Sequence, residues 1–230
     1  MNEIEHIIFD LDNTLWDFTG NSKRILAEIF SKFELDKRGI VDFEKFHDQY
    51  KFRNEHLWMD YALGKVSREE VRLNRFLVTL NDFGVNNYKL SSDAADHYVL
   101  NTRHQTELIP YTHELLGYLI KKYKLHIITN GFDEVQFFKM NNTGIKKYFT
   151  TVTTAESAQA LKPDKKIFDH AIQLINTKAE HCLYIGDSPQ ADGVGAINAG
   201  MQFIWFNPEK KENIYNYNAV NNLSEVVDLL

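Results

Sequence analysis

Cysteine is almost missing from this chain: among 230 residues there is only Cys182. A lone thiol closes no internal disulfide, which excludes a disulfide-stapled secreted framework and suits a reducing compartment. Cys182 stands in the apolar run CLYIG, where a buried strand residue is expected and a reactive thiol is not. Long apolar runs are also missing. No stretch approaches the roughly 20 residues that span a bilayer, and the opening MNEIEHIIFD carries acidic residues where a secretory signal carries basic ones. A cytoplasmic protein with no membrane partner is therefore expected. There is no Lys/Arg-dense run and the formal net charge is −6, which argues against a nucleic-acid polymer as partner. A small anionic substrate stays compatible, because a local site can be positive on an acidic protein. The nine histidines have no metal-ligand spacing. His126 and His181, beside apolar runs, are expected to be structural. Internal repeats and low-complexity segments are absent too.

What the chain does contain is ordinary for a soluble globular protein, with 43% apolar and 25% charged residues. Short apolar runs alternate with helical patterns. The strand candidates are His6–Asp12, Leu125–Asn130, Phe149–Thr153, Cys182–Asp187 and Gln202–Asn207. Each is near-continuously apolar, as strands covered on both faces of a parallel sheet are. Helical stripes lie between them, over His113–Tyr123 and Lys165–Ile175. This alternation implies right-handed crossovers and a doubly wound α/β parallel sheet with a Rossmann-like core. Residues 19–103 break the alternation, with helical stripes at Ile25, Ile29 and Phe33 and at Leu73, Phe76, Leu77 and Leu80, the latter ended by Gly84. The expected organisation is a core of residues 1–18 and 104–230 with a mostly helical cap domain of residues 19–103 inserted. The Asn-rich stretch near Asn213–Asn222 reads as a loop with one short strand, before a final helix that Ser224 would cap.

In open parallel sheets ligands bind beyond the carboxyl ends of the strands. There the sequence places Asp10 and Asp12, then Thr129, Asn130 and Gly131, then Asp187 with Asp192 following, while Lys162 precedes the helix that leads into the fourth strand. Four carboxylates crowded together repel one another unless a divalent cation neutralises them. Oxygen-only ligands favour a hard ion, and Mg²⁺ takes a few carboxylates plus water and phosphate. A carboxylate can also attack phosphorus to form an aspartyl-phosphate, a step that needs a metal ion and an ammonium to neutralise charge on the transferring group.

DLDNTL at Asp10–Leu15, ITNG at Ile128–Gly131, LKPDKKIF at Leu161–Phe168 and GDSPQAD at Gly186–Asp192 resemble, in order, the four motifs of haloacid dehalogenase-like phosphatases. The resemblance covers nearly the whole chain and implies a Mg²⁺-dependent phosphohydrolase with a small helical cap. It implies that Asp10 is the nucleophile and a metal ligand. Asp12 would protonate the leaving oxygen, then deprotonate water, with its backbone carbonyl on the metal. Thr129 and the backbone N–H of Asn130 would hold phosphate oxygens. Lys162 would bridge Asp10 and the phosphoryl group, Asp187 would bind the metal, and Asp192 would support it directly or through water. Asp12 also argues against halide displacement, which needs no leaving-group proton.

The substrate is expected to be chosen in the cap. Trp58, Tyr61 and Arg72 stand in the segment Asn54–Phe76, where aromatic residues could stack on a base and arginines engage carbonyls or phosphate. The same pattern at helical spacing also reads as packing. The run LWMDY…G…RF, with TNGF and VQ, is similar to the branch of the family that dephosphorylates pyrimidine nucleoside monophosphates. A sugar-phosphate or phosphoglycolate-type phosphatase is the alternative enzyme. A phospho-receiver signalling module is the alternative outside enzymes, disfavoured by the long insert and by Asp12.

Overall fold

A computed structural model describes residues 3–230. Six parallel strands form one sheet in the order β3-β2-β1-β4-β5-β6. The strands are β1 His6–Phe9, β2 Lys124–Thr129, β3 Phe149–Thr154, β4 Cys182–Gly186, β5 Gln202–Phe206 and β6 Asn218–Val220. The doubly wound α/β reading holds, and β6 is the short strand read within the Asn-rich stretch. Strand residues alternate between two hydrophobic layers. Ile7, Phe9, Ile127, Leu183 and Ile185 join Leu116, Leu119 and Met140 on one face. Ile8, Ile128, Tyr184 and Trp205 join Ile167, Phe168 and Ala171 on the other. Both layers are buried, which is why the strands read as unbroken apolar runs. Each fully buried large apolar side chain contributes roughly 1.5–3 kcal/mol.

The chain divides into two compact units, Met1–Phe18 with Thr106–Leu230 (unit 1) and Thr19–Gln105 (unit 2). Unit 2 consists of α1 (Phe18–Lys32, most of it), α2 (Phe43–Ala62), α3 (Arg68–Asp82) and α4 (Tyr88–Thr102). Its helix starts are set locally. Asp42 accepts from Lys45 N–H, Ser67 and Glu70 form a reciprocal capping box, and Asn87 accepts from Leu90 N–H. Gly84, at φ +78°, follows the end of α3 as expected. The inward face of α3 differs from the expected stripe: Phe76 and Leu80 are buried, but Val71, Arg75 and Thr79 complete the face, while Leu73 and Leu77 are half-buried. The core of unit 2 is Ile25, Leu26, Ile29, Phe46, Tyr50, Phe76, Leu80 and Tyr98. Within it, the Tyr50 hydroxyl lies beside Tyr98 and Arg75 without meeting either at hydrogen-bonding geometry, and Asn54 Oδ1 also lacks a partner.

In unit 1 the helices are α5 (Thr112–Leu119), α6 (Asp133–Asn142), the single turn α7 (Ala155–Ala158), α8 (Lys165–Ile175) and α9 (Gly195–Ala199). The chain ends in a 3₁₀ segment, Leu223–Leu229. Its cap is Asn222, whose side chain accepts from Ser224 N–H, and not Ser224 itself. Leu223 and Val226 are its buried residues, a spacing of three that suits the tighter winding. No helix among the described residues is long and apolar enough to cross a membrane.

Candidate active site

β1 ends at Phe9, three residues earlier than its apolar run suggests, because the chain turns at once. Asp10 N–H still donates to Ile185 O at 2.9 Å. The backbone then folds back: Leu15 and Trp16 N–H both donate to Leu11 O, with Asn13 left-handed at φ 62°. Asp10 and Asp12 are therefore not on one face of a regular strand. The turn sends their carboxylates to different partners.

Asp10 is 5% exposed and accepts from the Lys162 ammonium and, at 3.3 Å, from the Thr14 hydroxyl. Lys162 is buried as well. Its Nζ donates to Asp192 Oδ1 at 2.7 Å and to the Tyr184 hydroxyl at 3.2 Å. Asn130 fixes the backbone of that lysine from both sides: its Oδ1 accepts from Lys162 N–H at 2.7 Å and its Nδ2 donates to Lys162 O at 3.1 Å. Burial alone would lower the lysine's pKa, but Asp10 and Asp192 together outweigh it and hold the group well above its ordinary value, as an ammonium.

Asp192 is 1% exposed. Beyond Lys162, its Oδ1 accepts from Tyr184 Oη at 3.1 Å and its Oδ2 from Ser188 N–H at 3.0 Å. It sits on the π-helical segment Pro189–Val194, which Ser188 caps. A Cβ on Gly186 would fall 2.4 Å from Asp192 Oδ2, so only glycine at the end of β4 lets that carboxylate fold back. Gly195 serves packing: a Cβ there would meet the Phe168 ring at 2.3 Å.

Oxygens of Asp10, Asp187 and Asp192 all lie within 4.8 Å of one another. Three carboxylates face one ammonium there, and the imbalance registers in the titration of Asp10 and Asp187. Burial, with repulsion from Asp192, pushes Asp10 up to about 7 despite Lys162. Burial and repulsion from Asp10 and Asp192 push Asp187 well above the carboxylate range. This surplus of buried negative charge on an oxygen-only donor set fits a hard divalent cation such as Mg²⁺. Asp10, Asp187 and Asp192 are the carboxylates that could hold it. Both oxygens of Asp192, like those of Asp10, already accept from protein donors.

The Asp12 carboxylate is not in this group. It accepts from Lys139 Nζ at 2.6 Å on one oxygen and from Gln136 Nε2 at 2.7 Å on the other. Gln136 Nε2 also reaches Thr129 Oγ1 at 2.7 Å, and Gly131 N–H donates to the same hydroxyl. Thr129 Oγ1 thus accepts twice, and its own proton is the donor that remains. Sequence reading missed Lys139, Gln136 and Tyr184. Gln136, Lys139 and Met140 form the buried face of α6 at i, i+3 and i+4, while the apolar pair Phe137 and Phe138 points outward. The apolar stripe therefore pointed away from the chemistry. Tyr184, in a run of buried strand residues, carried no distinguishing signal.

In unit 2, Trp58 and Tyr61 meet edge to face on α2 at a centroid distance of 5.7 Å, and both are half-buried. Arg72 is ion-paired with Asp96 across α3 and α4. Neither histidine singled out earlier belongs to the carboxylate group. His126 Nε2 lies 3.0 Å from His6 Nδ1, and His181 Nδ1 3.0 Å from Glu3 O. Cys182 is buried, and burial pushes its thiol up to about 12.

The haloacid dehalogenase-like hydrolase family matches residues 7–206. Pyrimidine 5'-nucleotidase PynA of Streptococcus pneumoniae is 34% identical over 209 residues, covering 90% of this chain and 85% of its own length. Pyrimidine 5'-nucleotidase YjjG of Escherichia coli is 32% identical over 228 residues, covering 97% and 96%. The magnesium-bound crystal structure of YfnB from Bacillus subtilis matches with a TM-score of 0.88 at 28% identity, over 100% of this chain and 99% of that one.

Proposed function

The chain belongs to the haloacid dehalogenase-like hydrolase family and is a phosphatase, and from that premise we propose that it hydrolyses pyrimidine nucleoside 5'-monophosphates through a phosphorylated Asp10. The observation that carries the reading is the buried Asp10 carboxylate, held by Lys162 at the carboxyl end of β1 with Asp187 and Asp192 beside it. A carboxylate so crowded is a poor stabilising element and a suitable phosphoryl acceptor once its surroundings are neutralised.

An Asp10 oxygen attacks phosphorus as the ester P–O bond breaks, and the Asp12 carboxylic acid gives its proton to the departing oxygen. In the second half, Asp12 takes a proton from water, the water oxygen bonds to phosphorus, and the P–O bond to Asp10 breaks to release phosphate. Lys162 faces the developing charge on the phosphoryl oxygens, and the free proton of Thr129 with the neighbouring backbone N–H of Asn130 holds one of them. Asn130 acts further through its side chain, by fixing Lys162. A bound Mg²⁺, held by Asp10 and Asp187 with the Asp12 carbonyl and supported by Asp192, would supply charge neutralisation and orient the phosphoryl group. The magnesium bound by YfnB and the oxygen-only donors here support that ion.

Unit 2 is read as the cap, and Trp58, Tyr61 and Arg72 as its candidates for choosing the base. The names of PynA and YjjG support the pyrimidine nucleotide as substrate. The test is phosphate release from UMP, dTMP, sugar phosphates and phosphoglycolate with Mg²⁺ and with excess chelator. Preference for UMP and dTMP, abolished by chelator and restored by Mg²⁺, is the expected result. Equal rates on sugar phosphates would remove the nucleotidase reading and leave the phosphatase. Full activity in chelator would remove the metal.

A further inference from the structure

We infer that Lys139 and Gln136 are positioning residues that set the Asp12 carboxylate for proton transfer, a role that rests on the reading of Asp12 as the acid and base. The arrangement is built from three independent features. Both carboxylate oxygens are engaged, one by the Lys139 ammonium at 2.6 Å and one by Gln136 Nε2 at 2.7 Å, so the group can neither rotate nor swing without breaking a bond. Lys139 is 3% exposed and its Nζ lies 4.1 Å from the centroid of the Trp16 ring and 5.7 Å from that of Phe18. Trp16 closes the same turn that carries Asp12, so acid, lysine and turn move as one piece. Gln136 enters the niche left by Gly131, where a Cβ would fall 2.0 Å from Nε2, and its second bond ties Asp12 to Thr129.

A buried ion pair is seldom justified by stability, since apolar residues of the same volume serve as well or better. What this pair provides is a fixed direction for one carboxylate. It also separates Asp12 from the other three acids: they face Lys162, and Asp12 has a lysine of its own on a different helix. A misaimed acid harms the bond cleavage that needs a proton and spares the one that does not.

The leaving group therefore reads the role. kcat/KM covers steps only up to departure of the leaving group, so the later water attack does not obscure it. In Lys139→Met, which keeps the packing on Trp16, kcat/KM for the alkyl esters UMP and glycerol 2-phosphate is expected to fall about 10²–10³-fold, the range of a lost general acid. For p-nitrophenyl phosphate, whose phenolate leaves unprotonated, the loss should stay under about 5-fold on the same reasoning. Asp12→Asn should give the same split, the double variant should add nothing to it, and Lys139→Arg should recover part of the alkyl rate. Gln136→Met should show the split more weakly and carries the test if Lys139→Met fails to fold. Equal losses on alkyl and aryl esters in the Lys139 and Gln136 variants, with the split intact in Asp12→Asn, would overturn the positioning role. No split in Asp12→Asn would overturn the reading of Asp12 itself.

Discussion

Lys162 of unit 1 and Arg75 of unit 2 are both buried cations, 5% and 7% exposed, and their surroundings differ in kind. Around the Lys162 ammonium stand Asp10, Asp192 and the Tyr184 hydroxyl, with the Asn130 side chain fixing the lysine backbone. Arg75 donates from Nε to the Val71 carbonyl and lies over the Tyr98 ring, 5.3 Å from its centroid. Near it, the Tyr50 hydroxyl and Asn54 Oδ1 are unpartnered. Around Lys162 buried polarity is met charge against charge, while Gln136 Oε1 and Thr153 Oγ1 of the same unit lack partners. In unit 2 buried polarity is attached to side chains that are there mainly for their apolar bodies. Low dielectric raises the stakes of a polar network in both directions: a saturated one fixes positions, and an incomplete one only adds cost. The difference separates a cluster arranged for chemistry from a helical core that tolerates polar atoms.

The sharpest break falls on Asp10. Asp10→Asn should lower phosphate release by about 10⁴-fold or more while the protein stays folded, because the change removes one of three crowded carboxylates and leaves Lys162 paired with Asp192. Near-wild-type release would sink the mechanism. Next comes removal of each cation. In chelator, Lys162→Met should cost about 3–5 kcal/mol by stranding Asp10 and Asp192. Arg75→Met, which loses one bond to a carbonyl, should cost about 1–2 kcal/mol. Denaturant titrations giving equal losses would erase the contrast between the units.

A smaller break is available at a partnered polar site of unit 1 away from the acids. His126 lies between the His6 ring, 3.0 Å away, and the Thr151 hydroxyl, 2.8 Å away. Burial, with help from His6 and Lys124, lowers its pKa from 6.5 to about 4. Below pH 6.5 the unfolded chain takes up a proton that the folded ring refuses. The stability this group contributes is therefore complete above 6.5 and lost as pH falls toward 4. Wild type should lose about 2–3 kcal/mol more than His126→Gln between pH 7 and 4. Parallel pH profiles of denaturation free energy would refute this. The smallest effect is expected in unit 2: Tyr50→Phe removes a hydroxyl with no partner and should change stability by less than about 1 kcal/mol, toward stabilisation. A loss above that range would mean the hydroxyl is bonded in solution.

The strands β1 to β5, though not their ends, the helix over Lys165–Ile175 and the acids after β1 and β4 were readable because each rests on local signals: apolar runs, helical period and residue type at a strand terminus. Gln136 and Lys139 were not readable, since the outward Phe137 and Phe138 mask the buried face of α6. The hold of the Asn130 side chain on the Lys162 backbone escaped for a related reason, because the two lie 32 residues apart.

By itself, the sequence determined the kind of fold and which acids stand at the strand ends, because periodicity and residue type at a strand terminus are written within a few residues. Only the tertiary structure decided which donor meets which acid. Asp10 and Asp12 are two residues apart, yet one faces Lys162 and the other Lys139, 152 and 127 positions further on. That division follows from the turn at Leu11–Trp16 and from the register that sets β2, β1 and β4 side by side. Hydrogen-bond geometry is a matter of tenths of an ångström, and such precision is fixed only when distant elements pack.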